Sequence, residues 1–117
     1  MQAALPGESL NLTVANTGAS GSLFLQQLLR CLAADSRVSH VNFITSNSGL
    51  RVMAEELGLG RSNVVEQLLG TKSSKIEQQN NDDIGANVAS GSYPCDAMIV
   101  LPCSMGTLAR IANEAVA

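Results

Sequence analysis

The sequence predicts a three-layer α/β domain built on a parallel sheet, and three observations carry that prediction. Short apolar runs with β-branched members alternate with stretches of helical spacing along most of the chain. Two of the strand-to-helix connections, residues 17–22 (TGASGS) and 103–107 (CSMGT), are built alike from small and hydroxyl-bearing residues. At 117 residues with 45% hydrophobic content, the chain can bury the core of one domain and no more than one.

Residues 1–9 have neither the basic start nor the apolar centre of a signal peptide and read as a flexible lead; the domain proper is expected over 10–117. The first strand is residues 11–16, through Leu12, Val14 and Ala15. In the loop that follows, Gly18 and Gly21 let backbone approach a ligand, and Ser20 either caps the next helix or hydrogen-bonds a phosphate. The loop is not the dinucleotide fingerprint, which needs a glycine at position 20. Leu25, Leu28, Leu29 and Leu32 give that helix a buried face, with Gln26, Gln27 and Arg30 on its wet side. Residues 38–45 form the second strand, placed to close a right-handed parallel βαβ unit. Ser46, Asn47 and Ser48 cap a helix with Leu50, Met53, Ala54 and Leu57 on one face; it leaves Arg51, Glu55 and Glu56 to loops, solvent or a site, and Gly58 and Gly60 stop it.

Residues 63–69 are a further short amphipathic piece, 75–79 a brief edge strand, and the polar run QQNNDD at 78–83 a loop. Residues 84–89 read as helix, broken by Ser90, Gly91 and Ser92. The unbroken apolar run 97–101 has the pattern of a strand buried on both faces, and Pro102, with no N–H to give, ends it. Leu108, Ile111, Ala112 and Ala115 then recur at helical spacing. Unpaired N–H groups at the start of that helix, with the hydroxyls of Ser104 and Thr107, make a cradle for an anion or polar ligand. On one such loop, plain helix capping is the better reading. The second loop of the same construction reverses that order. In a doubly wound sheet the chain changes its direction of growth after the third strand, so the first and fourth strands flank the switch point. Their loops then open on one crevice, with Ser46 at the end of the second strand as third contributor.

A net charge of −3 without a basic run or aromatic ladder argues against a nucleic-acid surface, and no apolar stretch reaches membrane-spanning length. A cytoplasmic protein is expected. The three cysteines, Cys31, Cys95 and Cys103, are odd in number and lack C-x-x-C spacing, so they read as reduced thiols and no metal site is expected. Nothing pairs Cys103 with a histidine, which favours an apolar filler over a nucleophile. Taken alone, Glu56 is a surface residue, as is His40.

TGASG after the first strand, ITS after the second, ASGS before the fourth and PCSMGTLARIA behind it together resemble the UbiX-type flavin prenyltransferases, over residues 12–112. The resemblance implies a flavodoxin-like or Rossmann-like subunit that binds FMN and assembles into a large homo-oligomer, a dodecamer in the family, with active sites at subunit contacts. It implies transfer of a dimethylallyl group from dimethylallyl monophosphate to reduced FMN, the product serving a partner UbiD-type decarboxylase. By matching position it places Gly18, Ala19 and Ser20 against the flavin and its phosphate, Ser46 near the FMN, and Ser104, Met105 and Thr107 as further flavin contacts. Ser20 and Glu56 match the positions of the prenyl-transfer chemistry, and Ser90 and Gly91 the turn that shapes the floor near the substrate. Family members continue past the fourth-strand helix into strands whose Arg, Lys and Tyr grip the substrate phosphate, so these residues are expected to be the N-terminal portion of the family domain.

Such a reaction develops positive charge on an allylic carbon and negative charge on phosphate oxygen, which calls for anion donors, a dry π-rich wall and a base. The Ser20 hydroxyl and the Glu56 carboxylate suit a proton shuttle. Two alternatives stay open. One is a non-catalytic FMN-binding protein. The other is a flavin-dependent cysteine decarboxylase of the same fold, whose members carry a histidine soon after the second strand, where this chain has Ser46, Asn47 and Ser48.

Overall fold

In the computed structural model, which describes residues 9–60, 62–84 and 95–116, four strands lie parallel in one sheet. They are β1 (Leu10–Asn16), β2 (Val38–Thr45), β3 (Ile76–Asn80) and β4 (Ala97–Val100), in the spatial order β3-β2-β1-β4. The chain grows outward from β1 through β2 to β3, then returns to the other side of β1 to lay down β4. The switch point between β1 and β4 is therefore where the alternation of elements predicts it. β1 takes the centre because its interior residues, from Thr13 to Ala15, are fully shielded from water.

The helices are α1 (Ser22–Ala34), α2 (Asn47–Leu57), α3 (Val64–Leu69) and α4 (Met105–Val116). Alternation along the strands sends Leu12, Val14, Val41 and Phe43 to one face, where Leu25 and Leu29 of α1, Met53 of α2 and Val64 and Leu68 of α3 close over them. Each such fully buried side chain contributes about 1.5–3 kcal/mol, so this cluster dominates the stability. On the opposite face Ala15 and Ile44 pack with Ile84, Met98 and Val100. Polar ends of elements are tied in turn. The Lys75 ammonium donates to the carbonyls of Ala33 and Asp35 at 3.0 and 3.1 Å and so caps the C-terminus of α1.

Four expectations are corrected. Gln26 and Arg30 are not simply wetted: both donate to the Leu68 carbonyl, at 3.1 and 3.0 Å, and bind α1 to α3. β3 runs on to Asn80, into the polar run read as a loop; on this flank of the sheet the backbone bonds to β2 while Glu77, Gln79 and Asn80 face water, so polarity does not forbid a strand. β4 is not buried on both faces: Ala97 is exposed and Met98, Ile99 and Val100 are half-buried, because β1 is its one strand neighbour among the described residues. In α4, Leu108 and Ala112 of the apolar stripe are exposed. Of the helix expected over 84–89, Ile84 is helical; the remainder, with Ser90 and Gly91, lies outside the described residues, as does the lead except for Ser9. No helix among the described residues is long and apolar enough to cross a membrane.

Candidate functional site

The site is assembled where three strands end. Asn16, the last residue of β1, is buried and donates from Nδ2 to Oγ1 of Thr45, the last residue of β2, at 3.1 Å. The Ser46 N–H returns a bond to the Asn16 carbonyl at 3.3 Å. Into this junction α2 presents Gly49, where a β-carbon would stand 2.9 Å from both the Asn16 carbonyl oxygen and Thr45 Oγ1. Only a residue without a side chain lets the helix start so close to the strand ends. Ser46 caps α2, its Oγ accepting from the Gly49 N–H at 2.9 Å.

Thr17 joins the two loops of like construction. Its side chain is buried; Oγ1 donates to the Pro102 carbonyl at 2.9 Å and accepts from the Ser104 N–H at 2.8 Å, while the Thr17 N–H also reaches the Pro102 carbonyl at 3.2 Å. Beyond it Ser104 caps α4, accepting from the Thr107 N–H at 3.1 Å and donating to Thr107 Oγ1 at 2.9 Å. The N–H groups of Met105 and Gly106 have no partner among the described residues, so the start of α4 offers two free donors at its positive end.

These loops and α2 enclose a cleft of about 670 Å³, lined by Thr17, Gly18, Ser46, Ser104, Gly106 and Thr107 and also by Arg51, Asp82, Asp83 and Arg110. That size is within the range of cofactor sites, roughly 300–1,000 Å³. The structure thus brings Gly18, Ser46, Ser104 and Thr107 to one cavity. Gly18 fits its place because a β-carbon there would meet Ser48 Cβ at 3.0 Å. Ala19, Ser20 and Glu56 are not in the cleft lining, and the Met105 side chain is 78% exposed rather than turned inward. Of the charged groups, Asp82 accepts from the Asn47 N–H and side-chain amide, both at 2.8 Å, and Asp83 pairs with Arg110 at 3.2 Å. Sequence reasoning left Arg51 unassigned and passed over Arg110; helical spacing held the signal, since Asn47 and Arg51, like Thr107 and Arg110, fall on one face of their helices.

Ser20 and Glu56, 36 positions apart, meet directly: Ser20 Oγ donates to Glu56 Oε2 at 2.6 Å. Glu56 Oε1 accepts from Ser22 Oγ at 2.7 Å and from the Gly21 and Ser22 N–H groups, each at 3.2 Å. The carboxylate of α2 therefore caps α1, whose own N-cap residue, Gly21, has no side chain to do so and sits at φ 118°. Hydrogen bonds from Ser20 and Ser22 hold the Glu56 carboxyl down at about 2, well below the usual carboxylate range. It is an ionised acceptor at neutral pH. The surface reading of Glu56 holds, since the residue is exposed, and its carboxylate is in addition engaged by four hydrogen bonds. Burial pushes the Cys103 thiol up, which disfavours the thiolate.

The family model described as Flavoprotein matches residues 4–114. A flavin prenyltransferase UbiX of Methanocaldococcus jannaschii is 36% identical over 104 residues, covering 89% of this chain and 51% of the relative. The flavin prenyltransferase UbiX of Pseudomonas aeruginosa is 34% identical over 111 residues, covering 89% of this chain and 52% of the relative. The chain spans about half the length of these curated relatives. Among solved structures, a dodecameric FMN-dependent UbiX-like decarboxylase from Escherichia coli O157:H7 superposes with a TM-score of 0.62 at 26% identity, over 90% of this chain and 60% of that one. Parallel sheet, switch-point cleft and sequence similarity agree: the chain belongs to the flavoprotein family and is similar within it to the UbiX-type flavin prenyltransferases.

Proposed function

We propose that this chain is the flavin-holding part of a flavin prenyltransferase, which moves a dimethylallyl group from dimethylallyl monophosphate to reduced FMN in the cytoplasm. It works as a homo-oligomer and passes the prenylated flavin to a UbiD-type decarboxylase. The observation that carries the reading is the meeting of the two like loops through Thr17 Oγ1, which turns two helix starts into one donor-lined cleft.

The residues present fit FMN. The free N–H groups of Met105 and Gly106, the Thr107 and Ser46 hydroxyls and the Arg51 guanidinium suit a phosphate and the polar edge of a flavin. Gly18 keeps the β1 loop low, so backbone can lie against a flat ring system. When bound, reduced FMN supplies the electron-rich ring atoms that accept the prenyl group. The chain's own contribution to proton movement lies at Ser20 Oγ. With its proton directed to Glu56 Oε2, this oxygen keeps its lone pairs for a second partner, from which it can take a proton while Ser20 hands its own to the carboxylate. Because Glu56 is held ionised, it stays the hydrogen-bond acceptor that orients the Ser20 hydroxyl, and any proton it takes is readily given back.

The test is mass spectrometry of the flavin after anaerobic incubation of the full-length protein with reduced FMN and dimethylallyl monophosphate. A gain of one dimethylallyl group is expected, and an unchanged flavin mass contradicts the reading.

A further inference from the structure

The two oxygens of the Glu56 carboxylate are loaded unequally. Among the described residues Oε2 has one partner, the Ser20 hydroxyl, whereas Oε1 has three, all at the start of α1: the Gly21 N–H, the Ser22 N–H and the Ser22 hydroxyl. None of these partners carries a charge. Ser22 is only 1% exposed, so its hydroxyl is shut off from water, and the carboxylate at 2.7 Å is the partner it has. A buried hydroxyl bonded to a charged acceptor is costly to leave unmade and restricts the acceptor's orientation.

We infer that Ser22 is a positioning residue for the Ser20–Glu56 pair: its buried hydroxyl pins Oε1, so that Oε2 stays aimed at the Ser20 hydroxyl. With the two N–H groups alone, at 3.2 Å each, the carboxylate can rotate and exchange its oxygens, and Ser20 loses a fixed direction for its proton. The 2.7 Å hydroxyl bond breaks that symmetry. The same bond draws electron density from the carboxylate and lowers its affinity for a proton, which sets how readily a proton passed to Glu56 is given back. This rests on the proposed role of Ser20 and Glu56 in proton transfer. The clamp itself belongs to the free chain.

The experiment is therefore a titration of the flavin-free chain, following the glutamate side-chain carboxyl carbons and the Gly21 and Ser22 amide signals by NMR, with Glu56→Gln identifying the signals that report Glu56. In the unaltered chain a midpoint near 2 is expected. Ser22→Ala is expected to raise it by about one pH unit, a tenfold gain in proton affinity. Ser22→Thr, which keeps the hydroxyl, restores the low midpoint. Ser22→Cys nearly preserves side-chain volume and replaces the hydroxyl with a weak donor, so it makes the same test without emptying a buried position, and an upward shift is again expected. A midpoint that stays put in both the alanine and cysteine variants overturns the inference. No flavin is involved, so this result stands apart from any failure of prenyl transfer.

Discussion

Glu56 has two tasks that a single carboxylate can share: it completes the start of α1 and it orients Ser20. Both need it ionised. Its carboxyl lies at about 2 in the folded chain against an ordinary 4.5, and that of Asp35, hydrogen-bonded to Arg37, at about 2 against 3.8. Depressed native values mean that the unfolded chain binds more protons in acid. The stabilisation from these groups is full above about 4.5 and is lost as the pH falls toward 2. Urea midpoints measured across this window should fall with pH. Glu56→Gln should flatten part of the slope and lower the midpoint at neutral pH; an unaltered slope would show that Glu56 is not the group titrating. Thr17 is the other residue on which the site turns. Thr17→Val removes both hydroxyl bonds between the loops, leaving the Ser104 N–H without its partner and the Pro102 carbonyl with the Thr17 N–H alone. A loss of about 1–3 kcal/mol in urea unfolding is expected, together with weaker FMN binding by fluorescence quenching. Retained stability and affinity would contradict the tie.

At the scale of elements, the legible parts were those whose neighbours are encoded in their own residues. β2 is bounded by Val38 and Thr45, the bounds expected for the second strand of the βαβ unit, and α2 ends at Gly58, which adopts the left-handed conformation at φ 67° expected of a helix stop. β3 was harder to read beyond its start, because Glu77, Gln79 and Asn80 owe their strand conformation to bonds with β2 rather than to any apolar face of their own. The apolar run of β4 and the stripe of α4 were legible as patterns but did not disclose how far they would be covered. Gly49 was unremarkable in sequence, since a glycine in a first helical turn has many explanations. Only the structure shows the strand ends 2.9 Å from where its β-carbon would be. Gly49→Ala must push α2 away from the ends of β1 and β2, with an expected cost of about 1–3 kcal/mol and a lower Tm by circular dichroism; an unshifted Tm would mean that the junction yields freely.

For the molecule as a whole, the order β3-β2-β1-β4 is what converts separate motifs into a site. It places residues that are 87 positions apart, Thr17 and Ser104, within one hydrogen bond at 2.8 Å. The like construction of the two loops made their convergence readable before any coordinates. The guanidinium groups of Arg51 and Arg110 were not, because their presence in the cleft depends on how α2 and α4 are rotated. Ser20 and Glu56 were singled out only through likeness to a family; that they share a hydrogen bond at 2.6 Å was not readable from residues 36 positions apart. The claim on which the rest depends is that the two loops and the start of α2 hold one flavin phosphate and ring. The most direct measurement is an amide NMR titration of the isotopically labelled chain with FMN. Saturable shifts at Gly18, Ser46, Gly106 and Thr107 together are predicted; shifts confined to one loop, or to residues outside the cleft, would contradict it.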